Sequence, residues 1–401
     1  MPLSATQQIA QIGRAYINQY QQGGLSSGAP SIQSVLGGDL TSDIDQAITR
    51  HRIWSVVYSV LPHLADSTAA AQPATTWLDN ENQRNVERVT KQALVTKLIE
   101  REFTNRGLYF TVIKGLPLAE KLYHHTAHRH SKDIDLLVAP QDIEAAKDAL
   151  TALGFKQKSF GALPDNYEAL YLLRQKDYTF VGRGVVIELH VRLSPVNLPV
   201  TEHYRASALS RDENVTERQL AELLYLCYHG STFGVYARFK WLIDIALYLR
   251  LPSLQDPSAQ RRLRELAARL GAMRYLIVSW ELAHLYLEAA RPRWILDELR
   301  ADPVARYLVR RAPAGWESDW LTRAGVVGWF QGLQHNLYAR VMLTPKLNEK
   351  SAILVHHFFC PTPGDLYQLR FIPAKLYFLH WLLRPLTVTY RKLRPSRYSP
   401  N

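Results

Sequence analysis

The segment HRHSKDIDLLVAP, which spans residues 128–140, places two aspartates one residue apart immediately before an apolar run. The apolar run predicts a buried β-strand. Side chains at positions i and i+2 of a strand point to the same side, so Asp133 and Asp135 would lie side by side with like charge. Two neighbouring carboxylates repel each other unless a cation lies between them, and a metal ion is a common solution. The segment therefore predicts a strand that carries a metal site at its first end.

The surrounding sequence predicts a mixed sheet with helices over residues 101–200. Three further segments rich in β-forming residues predict strands, at residues 108–113, 177–182 and 185–193. Arg183-Gly184 lies between the last two and predicts a tight hairpin turn. A helix-forming segment follows Lys114-Gly115, and an amphipathic helix is predicted over 140–155 with Gly154 as its stop.

Both flanks of this core show helical periodicity, so the predicted fold class is α+β. The predicted regions are an N-terminal helical region, an α/β core and a C-terminal helical domain with a basic tail, at 1–100, 101–200 and 201–401. Segments of small residues at 21–31 and 66–76 predict linkers, and a helix is predicted over 84–107 with Gly107 as its cap. The clearest helical segments of the C-terminal domain are 216–230, 237–250 and 261–287.

The composition favours anionic partners. The chain has 401 residues, 47% of them hydrophobic, a net charge of +12 and a pI near 9.6. Nucleotides, RNA or a membrane surface would all suit this charge, and a dispersed surface excess is the plain alternative. With two cysteines, Cys227 and Cys360, the chain has too few for a disulfide framework or a cysteine zinc site. The start of the chain does not resemble a secretory signal and no apolar run could span a bilayer, so we expect a cytoplasmic protein.

A third carboxylate completes the chemistry that the two aspartates suggest. Glu188 lies in the β-forming segment 185–193, and strand alternation predicts that His190 and Arg192 share its face. Two metal ions about 4 Å apart activate an attacking oxygen and stabilise a leaving group. About three carboxylates are needed for such a pair, because Mg²⁺ prefers oxygen ligands. We therefore expect Glu188 to join Asp133 and Asp135.

The order of these motifs resembles the DNA polymerase β-like nucleotidyltransferase superfamily. It is most similar to a largely uncharacterised bacterial branch, the nucleotidyltransferase family proteins, which are often encoded near peptide natural-product or polysaccharide genes. The matching positions are Lys114-Gly115, Leu122-Tyr123, Arg129, Ser131, Asp133–Val138, Glu188–Leu193, His229-Gly230 and Lys240–Asp244. The resemblance extends from about residue 40 to residue 395. The superfamily often has Gly-Ser where this chain has Gly115-Leu116, so Ser131 would supply the hydroxyl.

This resemblance implies a fold, a reaction and a set of site residues. The fold would be a polymerase β-like core, and the reaction would move a nucleoside monophosphate from a nucleoside triphosphate (NTP) to a small-molecule, peptide or protein acceptor, releasing pyrophosphate. Two Mg²⁺ ions, or Mn²⁺, would be held by Asp133, Asp135 and Glu188. The nucleotide would contact Lys114, Gly115, Arg129 and Ser131. The acceptor or its phosphates would contact His190, Arg192, His229, Lys240 and Asp244.

Simpler interpretations stay open for several of these residues. His190 would equally suit a hydrogen-bonded structural role. Lys240 and Asp244 are one helical turn apart and would form a local ion pair. The histidines at 124, 125, 128 and 130 fit no standard zinc spacing, so a solvated loop is predicted there. Three rival functions also stay open: an RNA-modifying or toxin-like nucleotidyltransferase, an enzyme that inactivates antibiotics by nucleotidylation, and a non-catalytic scaffold.

The basic, aromatic tail at 374–395 allows two interpretations. It would lie on an anionic membrane or follow a nucleic-acid backbone as a peripheral binding segment. Alternatively, Leu376, Phe378, Trp381 and Leu382 would pack back onto the core, and this packing is the favoured prediction. Pro385 predicts that the segment does not form one long helix.

Overall fold

A five-stranded mixed sheet in the order β1-β2-β5-β4-β3 forms the centre of the fold. The structure is a computed structural model that describes residues 4–21, 42–60, 72–123, 125–158, 177–211, 214–317 and 325–393. The strands are β1 (Phe110–Ile113), β2 (Ile134–Val138), β3 (Lys156–Gln157), β4 (Asp177–Gly182) and β5 (Val185–His190). β2 pairs parallel with β5, and every other neighbouring pair is antiparallel. The predicted α+β class with a mixed sheet is confirmed.

The hairpin between β4 and β5 follows from its two turn residues. Arg183 and Gly184 have φ values of 51° and 73°, the left-handed conformation that a tight two-residue turn requires. β5 ends at His190, three residues earlier than predicted. His190 pairs with Leu137 on one side and with Asp177, the first residue of β4, on the other. Arg192 therefore lies two residues beyond the strand, and the prediction that it extends the polar row of β5 was wrong.

The two faces of the sheet differ in character. One face is apolar and packs against α4 (Gln72–Asn105) and α6 (Ile143–Ala152). The side chains that form this core are Val95, Ile99, Phe103, Ile134, Leu136, Val138, Ala146, Ala149, Leu150, Phe155, Tyr178, Phe180, Val185, Ile187 and Leu189. Alternation along β2 and β5 sends the remaining side chains, including Asp135 and Glu188, to the opposite face. Burial of one face therefore fixes which residues can form a site on the other.

The N-terminal helices are α1 (Ala5–Gln21), α2 (Ser42–His51), α3 (Trp54–Val60) and α4, and α5 (Gly115–Leu122) follows β1. α4 ends as predicted: Gly107 has a φ of 69°, and the N–H of Leu108 donates to the Phe103 carbonyl at 2.9 Å. It begins at Gln72, so residues 72–76 are helical and were wrongly assigned to a linker. The predicted linker at 21–31 lies almost entirely outside the described residues.

The C-terminal region is helical. Its helices are α7 (Pro199–Leu209), α8 (Val215–Thr232), α9 (Phe239–Tyr248), α10 (Pro252–Gln255), α11 (Pro257–Arg269), α12 (Met273–Leu287), α13 (Arg293–Ala301), α14 (Pro303–Glu317), α15 (Gly325–Gly332), α16 (Tyr338–Leu343), α17 (Leu347–Phe359), α18 (Pro363–Gln368) and α19 (Phe378–Leu393), with a π-helical turn at Leu333–Leu337. Gly271, with a φ of 65°, divides the segment predicted as 261–287 into α11 and α12. Among the described helices, none combines the length and hydropathy needed to cross a membrane.

One apolar core joins the N-terminal helices to the C-terminal ones. Ile9 of α1 and Ile48 of α2 belong to the same buried cluster as Leu224 of α8 and Ile243 of α9. The helices that precede the sheet in sequence therefore pack with the helices that follow it. The division into three regions stays a prediction.

The tail folds differently from the prediction. α19 continues through Pro385, whose ring is exposed. Proline has no backbone N–H and so loses one helical hydrogen bond, but side-chain contacts on either side of it hold the helix. Thr387 donates its hydroxyl to Asp365 at 2.7 Å, and the Nε of Arg384 donates to the same carboxylate at 3.3 Å. Phe378 and Leu382 are 56% and 62% exposed, so the predicted packing of these side chains onto the core was wrong.

Candidate active site

The parallel register of β2 and β5 brings Asp135 directly opposite Glu188. His190 lies two residues further along β5, and its Nε2 is 2.9 Å from the Asp135 carboxylate and 3.5 Å from that of Glu188. Each of these three residues offers one atom that could bind a metal ion, and the three atoms lie within 4.8 Å of one another. The predicted neighbourhood of Asp135, Glu188 and His190 thus forms in the folded chain.

Asp133 lies just before β2, at the edge of this cluster. Burial, together with repulsion from Asp135 and Glu188, raises the pKa of Asp133 to about 6. The preceding turn is fixed by Ser131, whose hydroxyl donates to the Asp133 carbonyl at 3.0 Å. Gly115 lies beside this turn, where a Cβ would be in ordinary van der Waals contact with the Ser131 hydroxyl at 3.6 Å. Of the two predicted residues, Ser131 therefore holds the backbone at Asp133, and Gly115 packs next to it.

Lys114 supplies the positive charge nearest to the carboxylates. Its Nζ is 3.6 Å from Asp135 and 5.8 Å from the centre of the Tyr225 ring. Burial opposes the charged form, but attraction to Asp135, Asp133 and Glu188 outweighs it and raises the pKa of Lys114. The backbone of Lys114 has φ 57° and ψ −133°, a conformation that favours glycine. A lysine held in that conformation indicates that its side chain is needed at this position.

Arg129 and Asp244 form a buried ion pair between the loop before β2 and helix α9. Two nitrogens of the Arg129 guanidinium donate to the two Asp244 oxygens at 2.8 and 2.9 Å, and Tyr123 donates to Asp244 at 2.8 Å. Both charged side chains are less than 5% exposed. Asp244 thus pairs with a residue 115 positions away rather than with Lys240. The predicted contact of Arg129 with nucleotide stays a prediction, and in this structure a carboxylate engages the guanidinium.

The histidine loop is part of the buried structure. His130 is buried, its Nδ1 is 3.1 Å from Asn85 and 3.0 Å from Arg88, and its carbonyl accepts from Lys240 Nζ at 3.0 Å. His128 lies 3.1 Å from the Tyr16 hydroxyl. The prediction of a solvated loop was wrong for His128 and His130, because helices α1 and α4 cover them. His124 lies outside the described residues.

The two remaining predicted site residues are His229 and Arg192. His229 on α8 contacts aromatic rings, with centroids 5.2 Å from Trp241 and 5.4 Å from Phe233. Arg192 is half-buried in the segment after β5. Their roles at an acceptor site stay predictions.

Three arginines near the segment 130–133 were missed by sequence reasoning: Arg52, Arg88 and Arg238. They come from α2–α3, α4 and the start of α9, so no local spacing joins them. Arg52 and Arg238 act on each other and on Asp133, since burial and Arg52 lower the pKa of Arg238 to about 10 while Asp133 opposes the shift. The sequence offered one indication of Arg52, because the segment 48–61 lies in the region that resembles the family. That segment carries no catalytic motif, so it did not point to a site residue.

The donor set suits a hard divalent cation. Carboxylate oxygens from Asp135 and Glu188 converge with one imidazole, Asp133 adds a further carboxylate, and among the described residues this is the acidic and histidine group that could hold a metal. A metal would also relieve the repulsion that raises the pKa of Asp133. A sheet with this acid cluster on one face, beside a lysine on a sharp turn, is the arrangement expected of a nucleotidyltransferase.

Comparison with known families agrees with this arrangement. The family model described as "uncharacterised nucleotidyltransferase" matches residues 41–288, and the chain belongs to that family. The family resemblance predicted from the motifs is therefore confirmed over this range. Residues 289–401 lie outside the match. No curated protein matches the chain, and no solved structure does either.

The buried pair between Arg129 and Asp244 gives a test of stability. Asp244→Ala should lower the free energy of unfolding by about 3–5 kcal/mol, because the Arg129 charge would stay buried without its partner. Asp297→Ala is the control, since Asp297 lies 3.9 Å from Arg293 on the surface and should change stability by less than about 0.5 kcal/mol. Urea denaturation measures both. Equal effects of the two substitutions would contradict a structural role for the pair.

Proposed function

We propose that this protein transfers a nucleoside monophosphate from an NTP to a hydroxyl or phosphate of a small-molecule, peptide or protein acceptor, with release of pyrophosphate. The observation that carries the proposal is the parallel register that sets Asp135 against Glu188 within reach of Lys114. Family membership supports nucleotidyl transfer in general, and the acceptor class is our inference. A cytoplasmic location would suit an enzyme that consumes NTPs. The resemblance to the bacterial branch further suggests natural-product or polysaccharide biosynthesis.

Asp133, Asp135 and Glu188 would hold the divalent ions, Mg²⁺ or Mn²⁺. When bound, these ions would neutralise charge on the triphosphate and assist ionisation of the acceptor hydroxyl. Their binding would suit the carboxylates, because Asp133 and its neighbours otherwise repel each other. The side chain of Glu188 is 29% exposed against 8% for Asp135, so Glu188 is the carboxylate more accessible to an acceptor.

The residues of the chain would act mainly by positioning and charge. An acceptor oxygen would attack the α-phosphorus, and the bond from that phosphorus to the bridging oxygen would break, so that pyrophosphate leaves with the bonding electrons. A carboxylate oxygen of Glu188 would accept the acceptor's proton. Lys114 would contact a phosphate oxygen, while Ser131 and Gly115 would keep Asp133 at the reacting end of β2.

The rival functions differ in what the cluster would need. A non-catalytic scaffold would have no use for Asp135 and Glu188 side by side, since like charges reduce stability. An RNA-modifying enzyme would show salt-sensitive RNA binding, and an antibiotic-modifying enzyme would turn over added aminoglycosides or lincosamides.

The direct experiment incubates the protein with each of the four NTPs, Mg²⁺ and an extract of its host. Pyrophosphate and a product heavier by one nucleotide, detected by mass spectrometry, would support the proposal.

Substitution of the carboxylates should separate stability from activity. Asp133→Asn should raise the Tm at pH 7.5, because it removes a charge that Asp135 and Glu188 repel, yet lower pyrophosphate release by at least about 100-fold. Glu188→Gln should lower the rate similarly, with a smaller effect on nucleotide affinity.

Glu144→Gln is the control, since Glu144 is an exposed acid on α6, behind the apolar face of the sheet. It should leave both Tm and rate unchanged. Full turnover by an Asp133→Asn, Asp135→Asn double variant would refute the proposed mechanism.

A further inference from the structure

Four cationic side chains from three separate helical elements gather around the segment 130–133. The backbone N–H of Phe239 donates to His51 Nδ1 at 3.0 Å, so the neighbouring residues Arg52 and Arg238 are held on the same side of the fold. Arg88 contacts the His130 ring at 3.0 Å, and Lys240 donates to the His130 carbonyl at 3.0 Å. We define Arg52, Arg88, Arg238 and Lys240 as the cationic cluster.

The cations of this cluster outnumber the acids that act on them. Asp133 acts on Arg52 and Arg238, and Asp244 acts on Lys240. Among the described residues, no carboxylate forms an ion pair with any of the four side chains, because Asp244 pairs with Arg129. Arg52, Arg88 and Arg238 are half-buried, which leaves them partly open to solvent. Burial and mutual repulsion lower the pKa of Lys240 and of Arg52, so gathering these cations costs free energy. An anionic ligand would offset that cost.

The backbone at Arg52 adds an independent indication. Arg52 has a φ of 56° at the end of α2, and the N–H of Ile53 donates to the Ile48 carbonyl at 3.2 Å, as in a helix ending that usually uses glycine. A residue with a side chain is less stable in this conformation than glycine. An arginine kept there despite this cost indicates a function for its guanidinium.

We propose that the cationic cluster binds the β- and γ-phosphates of the NTP, with Arg52 as its main contact. This inference rests on the proposed function, which places the α-phosphorus at Asp133 and Asp135. Arginine suits phosphate oxygens because its planar fork donates two hydrogen bonds at once. The N-terminal helices would then be part of the nucleotide site.

Arg52→Gly tests this assignment, because it relieves backbone strain while removing the charge. We expect an equal or higher Tm, together with roughly ten- to hundredfold weaker binding of ATP, GTP, CTP or UTP and of inorganic tripolyphosphate, measured by titration calorimetry. Arg52→Lys should weaken binding less. Arg183→Gly is the matched control, since Arg183 also has a positive φ, of 51°, but lies exposed at the hairpin turn.

The outcomes separate this inference from the proposed function. Absence of NTP binding by the unmodified protein would refute the proposed function. Normal NTP binding by Arg52→Gly would refute phosphate binding by the cationic cluster and leave the proposed function standing. Loss of binding to a single-stranded RNA with unchanged tripolyphosphate binding would also refute it, and would assign the cluster to an RNA backbone instead.

A second surface stands on a different observation, the inverted polarity of α19. Its buried face is polar: His380, Arg384 and Thr387 are 0%, 5% and 9% exposed. Its outer face is apolar, with Phe378, Leu382, Leu386 and Tyr390 each more than half exposed. A surface helix of a soluble protein normally shows the reverse arrangement. We name this outer face the apolar face of α19.

The surrounding charge is complementary to an anionic surface. Residues 351–401 contain seven Lys or Arg residues and a single acid, Asp365. Asp365 is fully buried against Arg384, so these two charges pair with each other, while Arg370 and Lys375 are exposed. Exposed aromatic and aliphatic side chains beside basic residues are typical of helices that lie in the interface of an anionic bilayer.

We infer that the apolar face of α19 inserts into an anionic lipid surface. Leu382→Gln with Leu386→Gln should lower co-sedimentation with phosphatidylserine-containing vesicles by roughly tenfold or more, with no loss of Tm, since both side chains are exposed. Leu94→Gln is the control, because Leu94 is 61% exposed on α4, almost as much as Leu382 at 62%.

Vesicles of phosphatidylcholine alone should bind the unmodified protein more weakly. Equal sedimentation of all variants, or none by the unmodified protein, would overturn the inference. A concentration-dependent dimer that dissociates in the double variant and ignores vesicles would overturn it too, and would assign the face to a second copy of the chain.

Discussion

The parallel pairing of β2 with β5 is the constraint on which the rest of the site depends. Its register places Asp135 against Glu188, and alternation leaves the intervening residues to fill the apolar core. A shift of one residue would bury both carboxylates and expose that core. The hydrophobic effect therefore fixes the site, because the register that buries Leu136 and Leu189 is also the one that gathers the acids. The repulsion between those acids is the unfavourable term that the surroundings must offset.

Those surroundings come from distant parts of the chain. Lys114 offsets part of the repulsion, at the expense of a backbone conformation that favours glycine. The pair between Arg129 and Asp244 fixes the loop before β2 to α9, and its burial makes that geometry costly to change. The position of the carboxylates therefore depends on the helical region that packs around them. This dependence explains why a short acidic motif needs most of the chain around it.

Local chemistry explains which features could be predicted. The strand after Asp133, the hairpin at Arg183-Gly184 and the helix end at Gly107 each depend on neighbouring residues, and each prediction held. The pair between Arg129 and Asp244 joins residues 115 positions apart, and the arginines around Asp133 come from three elements. α19 continues through Pro385, and Asp365 accepts hydrogen bonds from Arg384 and Thr387 on either side of it. Each of these depends on tertiary contacts that periodicity does not encode.

The structure shows where part of the positive charge of the chain lies. A net charge of +12 spread evenly would indicate solubility and little else. Here, four cations surround the segment that leads to Asp133, and the basic residues of 351–401 accompany a helix whose apolar side faces out. The first group is buried or half-buried and pre-arranged, which suits a compact polyphosphate. The apolar face of α19 is exposed, which suits a lipid surface. Because α19 and the cationic cluster lie on separate elements, a lipid surface and a nucleotide would engage different residues.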